Sequence, residues 1–344
     1  MIYLLIAGGM ALIVSGLVAP LLARWLERHG IGQQVREDGP QGHLTKAGTP
    51  TMGGIAIVVA AISGYLMGHL EHGSPFTRAG ILAVVVMVGG GLVGLLDDWL
   101  KNHRQRSLGL NKRAKLVGQV VVGIGFALGA LYWVGQSTHL SYTRWSSTSI
   151  VLHYSGWAAF AVLVLMGSAN AVNFTDGLDG LAAGAGTLAF SCLAIIGYWE
   201  YRHYSIYGVR PALDLAIVAV AMAGACAGFL WWNAAPARLF MGDTGALAIG
   251  TALAALALQM NVDLLLPIIA GLFVVETLSV VAQITSFRLF HRRVFRMAPL
   301  HHHFELLGWP ETTVIVRLWI MAGLCTALAI GLFYADFISI GLRT

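Results

Sequence analysis

Ten apolar stretches, each near the length of a membrane-crossing helix, leave this chain few ways to fold. They fall near residues 2 to 23, 52 to 70, 79 to 96, 116 to 135, 156 to 172, 180 to 198, 212 to 231, 244 to 260, 264 to 286 and 316 to 340. A bilayer core of about 30 Å takes roughly 20 mostly apolar residues per helix, and a helix bonds its own backbone N–H and C=O groups inside that core. With 11% of residues charged and a mean hydropathy of +0.75, the chain could not cover a water-facing surface of this size. A soluble enzyme, a disordered regulator and a nucleic-acid-binding domain all fit poorly, so the net charge of +5 implies no nucleic-acid partner. The expected fold is all-α: a polytopic integral membrane protein with about ten transmembrane helices. No composition shift, Pro/Gly/Ser linker or internal repeat divides it, so residues 1–344 read as one integral-membrane domain.

Basic residues set the orientation. Of the 21 Lys and Arg, 15 fall in the first, third, seventh and ninth connections, whereas the second, fourth and sixth connections and the C-terminal tail together hold five. Positive loops stay inside, so the odd connections are cytoplasmic and both termini face outward. The first run is followed by Arg24 and Arg28 and has no basic residue ahead of it, which fits a retained helix rather than a cleaved signal. Cys192, Cys226 and Cys325 all lie in apolar runs, where neither a disulfide nor thiolate chemistry is expected.

Ten of the sixteen acidic residues lie in the odd connections or at their helix ends, several closely spaced. In LLDDWLK, Asp97 and Lys101 share a helical face, while Asp98 points about 100° away and can serve another partner. An interfacial helix end closed by charge explains this cluster equally well. Paired carboxylates at the end of a hydrophobic span do, however, favour a cation. Asn170, Asn173, Asp176 and Asp179 form a second cluster in NAVNFTDGLDG, with more polar groups than a turn requires. Asp243 follows Gly242 at the start of a helix, where N-capping is its ordinary role. As a hard oxygen ligand it also suits Mg²⁺, with Asp97 in support. In the last cytoplasmic connection, Arg288, Arg292, Arg293 and Arg296 precede His301, His302 and His303. Three consecutive histidines on an extended or irregular segment cannot all face one metal, so phosphate donation fits them better than zinc. Lys46, Lys112 and Lys115 are individually ordinary positive-inside residues. Collectively, acids for a metal and bases for anions on one membrane face describe a site for phosphorylated substrates. Glu276, inside the ninth span, reads as a packing residue outside that site.

The segments KAGTPTMGG (46 to 54), LLDDWLK (95 to 101), NFTDGLDGLA (173 to 182), FMGDTGALAIG (240 to 250) and MAPLHHHFE (297 to 305) resemble the polyprenyl-phosphate N-acetylhexosamine-1-phosphate transferases. The resemblance spans almost the whole chain, and PLHHHFE points to the muramoyl-pentapeptide branch. Departures at Ala47, Phe174, Thr244 and Ala246 sit beside the polar positions rather than on them.

The resemblance implies an enzyme of the bacterial cytoplasmic (inner) membrane, a homodimer. It would transfer phospho-MurNAc-pentapeptide from UDP-MurNAc-pentapeptide to undecaprenyl phosphate with Mg²⁺, giving lipid I and UMP in peptidoglycan synthesis. It implies Asp243 as the Mg²⁺ ligand, Asp97 handling the lipid phosphate with Asp98 nearby, and His301 as the foremost histidine at the phosphates. Lys46, Lys115, His302 and His303 also match phosphate positions. Asn173 lies in a carrying segment; Asp176, Asp179, Asn233, Phe240 and Gln283 match the nucleotide side, with Phe240 stacking on uracil. The alternatives are the same transfer with another UDP-N-acetylhexosamine and, from a different class, a secondary transporter coupled through Glu276. Transporters bind near the bilayer midplane between paired repeats, whereas these polar clusters gather at one face.

Overall fold

The computed structural model describes residues 1–32, 48–70, 76–103 and 109–341. Among them the regular structure is all helical, with two isolated β-bridges, Gly32 to Pro50 and His139 to Val151, and no strand. The helices are α1 (Ile2–Arg28), α2 (Gly54–Leu70), α3 (Arg78–His103), α4 (Lys112–Leu128, continued by a π-turn at Gly129–Val134), α5 (Tyr154–Thr175), α6 (Leu181–Arg202), α7 (Tyr204–Tyr207), α8 (Ala212–Asn233), α9 (Gly242–Gln259), α10 (Leu266–Ile269), α11 (Gly271–Phe290), α12 (Leu300–Glu305) and α13 (Glu311–Gly341). Eight of these are long and apolar enough to cross a membrane: α1, α3, α4 with its π-turn, α5, α6, α8, α11 and α13. The two other expected spans coincide with α2, 17 residues, and α9, 18 residues with Asp243 and Gln259 at its ends.

Small residues set how closely the helices approach, as they do where lipid offers no hydrophobic drive to associate. On α1 the buried stripe is Ala7, Ala11, Ser15, Ala19 and Ala23, a four-residue step that keeps one face against α8. A Cβ on Gly224 would lie 2.2 Å from the Gly8 carbonyl oxygen. The centre of the bundle is α9, whose side chains from Asp243 to Gln259 are all buried. It packs on α2, α3 and α5. Being apolar on every side, it has no face to show to lipid or water.

Two expectations need correcting. The stretch 264 to 286 is not one continuous helix: it breaks at Ala270 into α10, which opens with Pro267 in its first turn, and α11, which carries the membrane-length run. The break seats Gly271 against α13, where a Cβ would come 2.5 Å from the Cys325 Sγ. The histidines, expected on an extended or irregular segment, lie on the short helix α12 after Pro299. The cysteines are free thiols.

Candidate active site

The carboxyl ends of α3 and α5 meet the amino ends of α4 and α9. Asn111 caps α4, accepting the Ala114 N–H at 2.7 Å, and so fixes the turn that carries Lys115. The amino end of α9 is closed not by its own residue but by Asp98 of α3. One Asp98 oxygen accepts the Asp243 N–H at 3.1 Å, and the other accepts the Thr244 N–H at 2.9 Å and hydroxyl at 2.7 Å. Asp243, whose ordinary role there would be the cap, is thereby left to face the site. Gly242 makes this possible, with φ +71° and a position where a Cβ would lie 2.5 Å from the Asp98 carboxylate.

Asp97, Asp98 and Asp243 each present an oxygen within 4.8 Å of the others. Two ammonium groups stand among them. Lys101 Nζ lies 2.5 Å from Asp97, 2.7 Å from Asp243 and 3.8 Å from Asp98. Lys115 Nζ lies 2.6 Å from Asp243 and 3.9 Å from Asp97. Asp97 also accepts the Leu110 N–H at 2.8 Å. With its amide turned to satisfy both neighbours, Asn173 donates to the other Asp243 oxygen at 2.7 Å and accepts from Lys115 at 3.3 Å. The lysine side chains remain 34% and 19% exposed, so the cluster opens to solvent. Three carboxylates facing two ammonium groups keep an excess of negative charge. Their hard oxygen donors suit a divalent ion such as Mg²⁺, and with Asp98 committed to α9, Asp97 and Asp243 are the oxygens available to hold it.

Beside this cluster, the turn after α5 carries Asp176 and Asp179. Burial and the nearby carboxylates of Asp243, Asp98 and Asp179 hold the Asp176 carboxyl well above the usual carboxylate range. Asp179 accepts the Ala237 N–H at 2.9 Å, and Asn233 accepts the Gly180 N–H at 3.1 Å while donating to the Leu239 carbonyl. These bonds tie the turn to the segment after α8. Phe240 is partly buried there, its backbone pinned by Pro50 and Gly53.

The remaining candidates are distributed differently. Gln283 is bonded to Val294 and Phe295 and lines a cavity of about 640 Å³ with Arg288, Arg293 and Arg296. His303 accepts the Arg296 N–H at 3.1 Å, and His302 pairs with Glu305 at 2.7 Å. His301 is fully buried beside Glu276. Lys46 lies outside the described residues. Asn170 turns into the bundle, donating to Gln119 at 2.8 Å, and so holds α5 to α4. Lys101 was legible as an i, i+4 neighbour of Asp97 but not as the residue bridging to Asp243, and Thr244 and Glu276 gave no sign of their contacts.

The apolar helices and a polar centre made from their ends are those of a membrane-spanning protein with a charged site. Residues 79–261 match the glycosyl transferase family 4 model, and residues 46–58 match the phospho-N-acetylmuramoyl-pentapeptide-transferase signature 1. Proteins named phospho-N-acetylmuramoyl-pentapeptide-transferase are similar over nearly full length. The one from Frankia alni is 49% identical, with 98% of each chain covered. That from Saccharopolyspora erythraea is 48% identical over 98% of each, and that from Thermobifida fusca 48% over 96% of this chain and 97% of its own. The chain belongs to glycosyl transferase family 4 and, within it, to the phospho-N-acetylmuramoyl-pentapeptide transferases.

Proposed function

We propose that the chain transfers phospho-MurNAc-pentapeptide from UDP-MurNAc-pentapeptide to undecaprenyl phosphate, giving lipid I and UMP, with Mg²⁺ and on the cytoplasmic face of the bacterial inner membrane. The observation that carries this reading is the meeting of Asp97, Asp98 and Asp243 with Lys101 and Lys115 at the mouth of an apolar bundle. Ten spans with both termini outside, a single domain over residues 1–344 and a homodimer belong to the same reading.

Both reactants are anionic, so the protein's tasks are to neutralise charge and align oxygens. Asp243 and Asp97 would hold Mg²⁺, which when bound supplies Lewis-acid neutralisation of phosphate oxygens. Lys101 and Lys115, which pair with these carboxylates, would supply positive charge to phosphate oxygens, and Asp98 serves by fixing α9. A phosphate monoester, with a second pKa of about 6, is already largely ionised at neutral pH. In-line attack by a lipid phosphate oxygen on the phosphorus next to the sugar therefore needs no strong base, and UMP leaves. Asp176, Asp179, Asn233, Phe240 and Gln283 serve the nucleotide side; Lys46, His302 and His303 serve phosphates. An apolar groove of about 220 Å³ between α5 and α10–α11, lined by Val164, Gly167, Leu266 and Phe273, reaches Ala171, two residues from Asn173. This supports a polyprenyl chain lying in the membrane with its phosphate at the site.

The test is purified protein with both substrates, with and without Mg²⁺, following UMP release. Turnover equal without Mg²⁺ removes the metal from the proposal, and preference for another UDP-N-acetylhexosamine replaces the donor. Retention of configuration at the transferred phosphorus would replace single displacement with a covalent two-step route.

A further inference from the structure

The reaction as proposed makes no use of Glu276, yet its side chain and that of His301 are buried completely and against each other. One Glu276 oxygen lies 3.2 Å from His301 Nδ1 and accepts the His301 backbone N–H at 3.4 Å. The other Glu276 oxygen and both ring nitrogens of His301 are buried without a hydrogen-bond partner, so the Nδ1 approach is a close contact and not a formed hydrogen bond. On the far side of the ring, Nε2 abuts the turn after α5: a Cβ on Gly177 would lie 2.3 Å from it and 2.9 Å from Cε1. The imidazole thus fills the space a side chain at 177 would take, next to Asp176.

We propose that Glu276 and His301 form a buried positioning pair that props the Asp176–Gly177 turn in the shape that receives the UDP donor, with His301 touching no phosphate. This rests on the transferase reading above, and it gives His301 a different task from the one its motif implies.

The experiment uses the full-length protein in detergent with the UDP donor and polyprenyl phosphate. Glu276→Leu and Gly177→Ala are each expected to raise donor KM about tenfold, with kcat within about threefold of wild type, the size of one or two lost buried polar contacts. Glu276→Gln keeps the volume and an oxygen that can accept the His301 backbone N–H, and is expected to hold KM within about threefold of wild type. Gly177→Ala combined with Glu276→Leu should cost no more than the worse single change, because both loosen one prop.

A fall in kcat at unchanged KM in Glu276→Leu puts His301 on the reacting phosphates and overturns the proposal. So does leucine performing as well as glutamine, which would reduce position 276 to volume, or an unchanged KM in Gly177→Ala. If Glu276→Leu does not accumulate, Gly177→Ala carries the same test. A wild-type chain that releases no UMP sinks the transferase reading instead, and donor dissociation constants of the same variants by calorimetry then decide on the pair.

Discussion

Asp98 and Thr244, 146 positions apart, are joined by two hydrogen bonds, from the Thr244 N–H at 2.9 Å and its hydroxyl at 2.7 Å to one carboxylate oxygen. A side chain from α3 thus begins α9, and the site's geometry depends on a cap supplied from another helix. Asp98→Ala leaves two buried N–H groups and a hydroxyl without a partner. The expected cost is on the order of 2 to 4 kcal/mol, read as a lower Tm in detergent together with loss of activity. Thr244→Val removes only the hydroxyl, and about 1 kcal/mol is expected. Equal Tm values for Asp98→Ala and wild type would show that α9 needs no such cap.

Asp243 takes both lysines on one oxygen, 2.7 Å from Lys101 and 2.6 Å from Lys115, and Asn173 on the other. Asp243→Ala and Asp97→Asn should each lower UMP release by on the order of a hundredfold or more, with the protein still inserted in the membrane. Chelation of divalent ions by EDTA should stop wild-type turnover, and added Mg²⁺ should restore it. Near-normal turnover of either variant would move the chemistry elsewhere.

Gly94 meets α9 backbone to backbone, since a Cβ there would lie 2.2 Å from the Asp243 carbonyl oxygen. Gly94→Ala must push α3 away from α9 and spread the three carboxylates. The expected cost is about 1 to 3 kcal/mol in stability, with a larger proportional loss in kcat than in donor KM. Steady-state kinetics beside a thermal melt would detect it, and wild-type values in both would show slack that the packing does not display.

At the opposite end of the bundle, Asp263 accepts the Ser141 N–H through both oxygens, at 3.1 and 3.2 Å. Burial pushes its carboxyl up to about 7. Unfolded, an aspartate releases its proton near about 4. Between those values the folded chain binds more protons than the unfolded one, so raising the pH through this window lowers stability. This contribution is complete below the lower value and gone above the upper. Tm should fall over this range in wild type and less steeply in Asp263→Asn. Parallel Tm curves for the two proteins would remove Asp263 from the account.

Some of this was written into local spacing. The four-residue step from Asp97 to Lys101 forecast their contact, found at 2.5 Å, and the 100° offset of Asp98 forecast that it would serve a different partner. Neither spacing could name that partner, because periodicity describes neighbours on one helix and Asp98 reaches across to another. The same limit hid the bridge from Lys101 to Asp243 and the burial of His301. Consecutive histidines look equivalent in sequence, but one short helix turns His301 inward to Glu276, His302 to Glu305 and His303 to Arg296. The apolar runs were plain, whereas the break at Ala270 was not, since a run of apolar residues reads as continuous whether or not its backbone is.

The floor of the site is laid on backbone. A Cβ on Gly54 would fall 2.0 Å from the Gly245 nitrogen and one on Gly94 2.2 Å from the Asp243 carbonyl oxygen, so at these two points main chain meets main chain. An inhibitor shaped to the three carboxylates therefore meets a surface that cannot yield without parting main chains. Resistance is expected to arise at the rim, around α11 and α12, where the hydrogen bonds that tie the segments together have a side chain on one side, as with Gln283, Glu276 and His303.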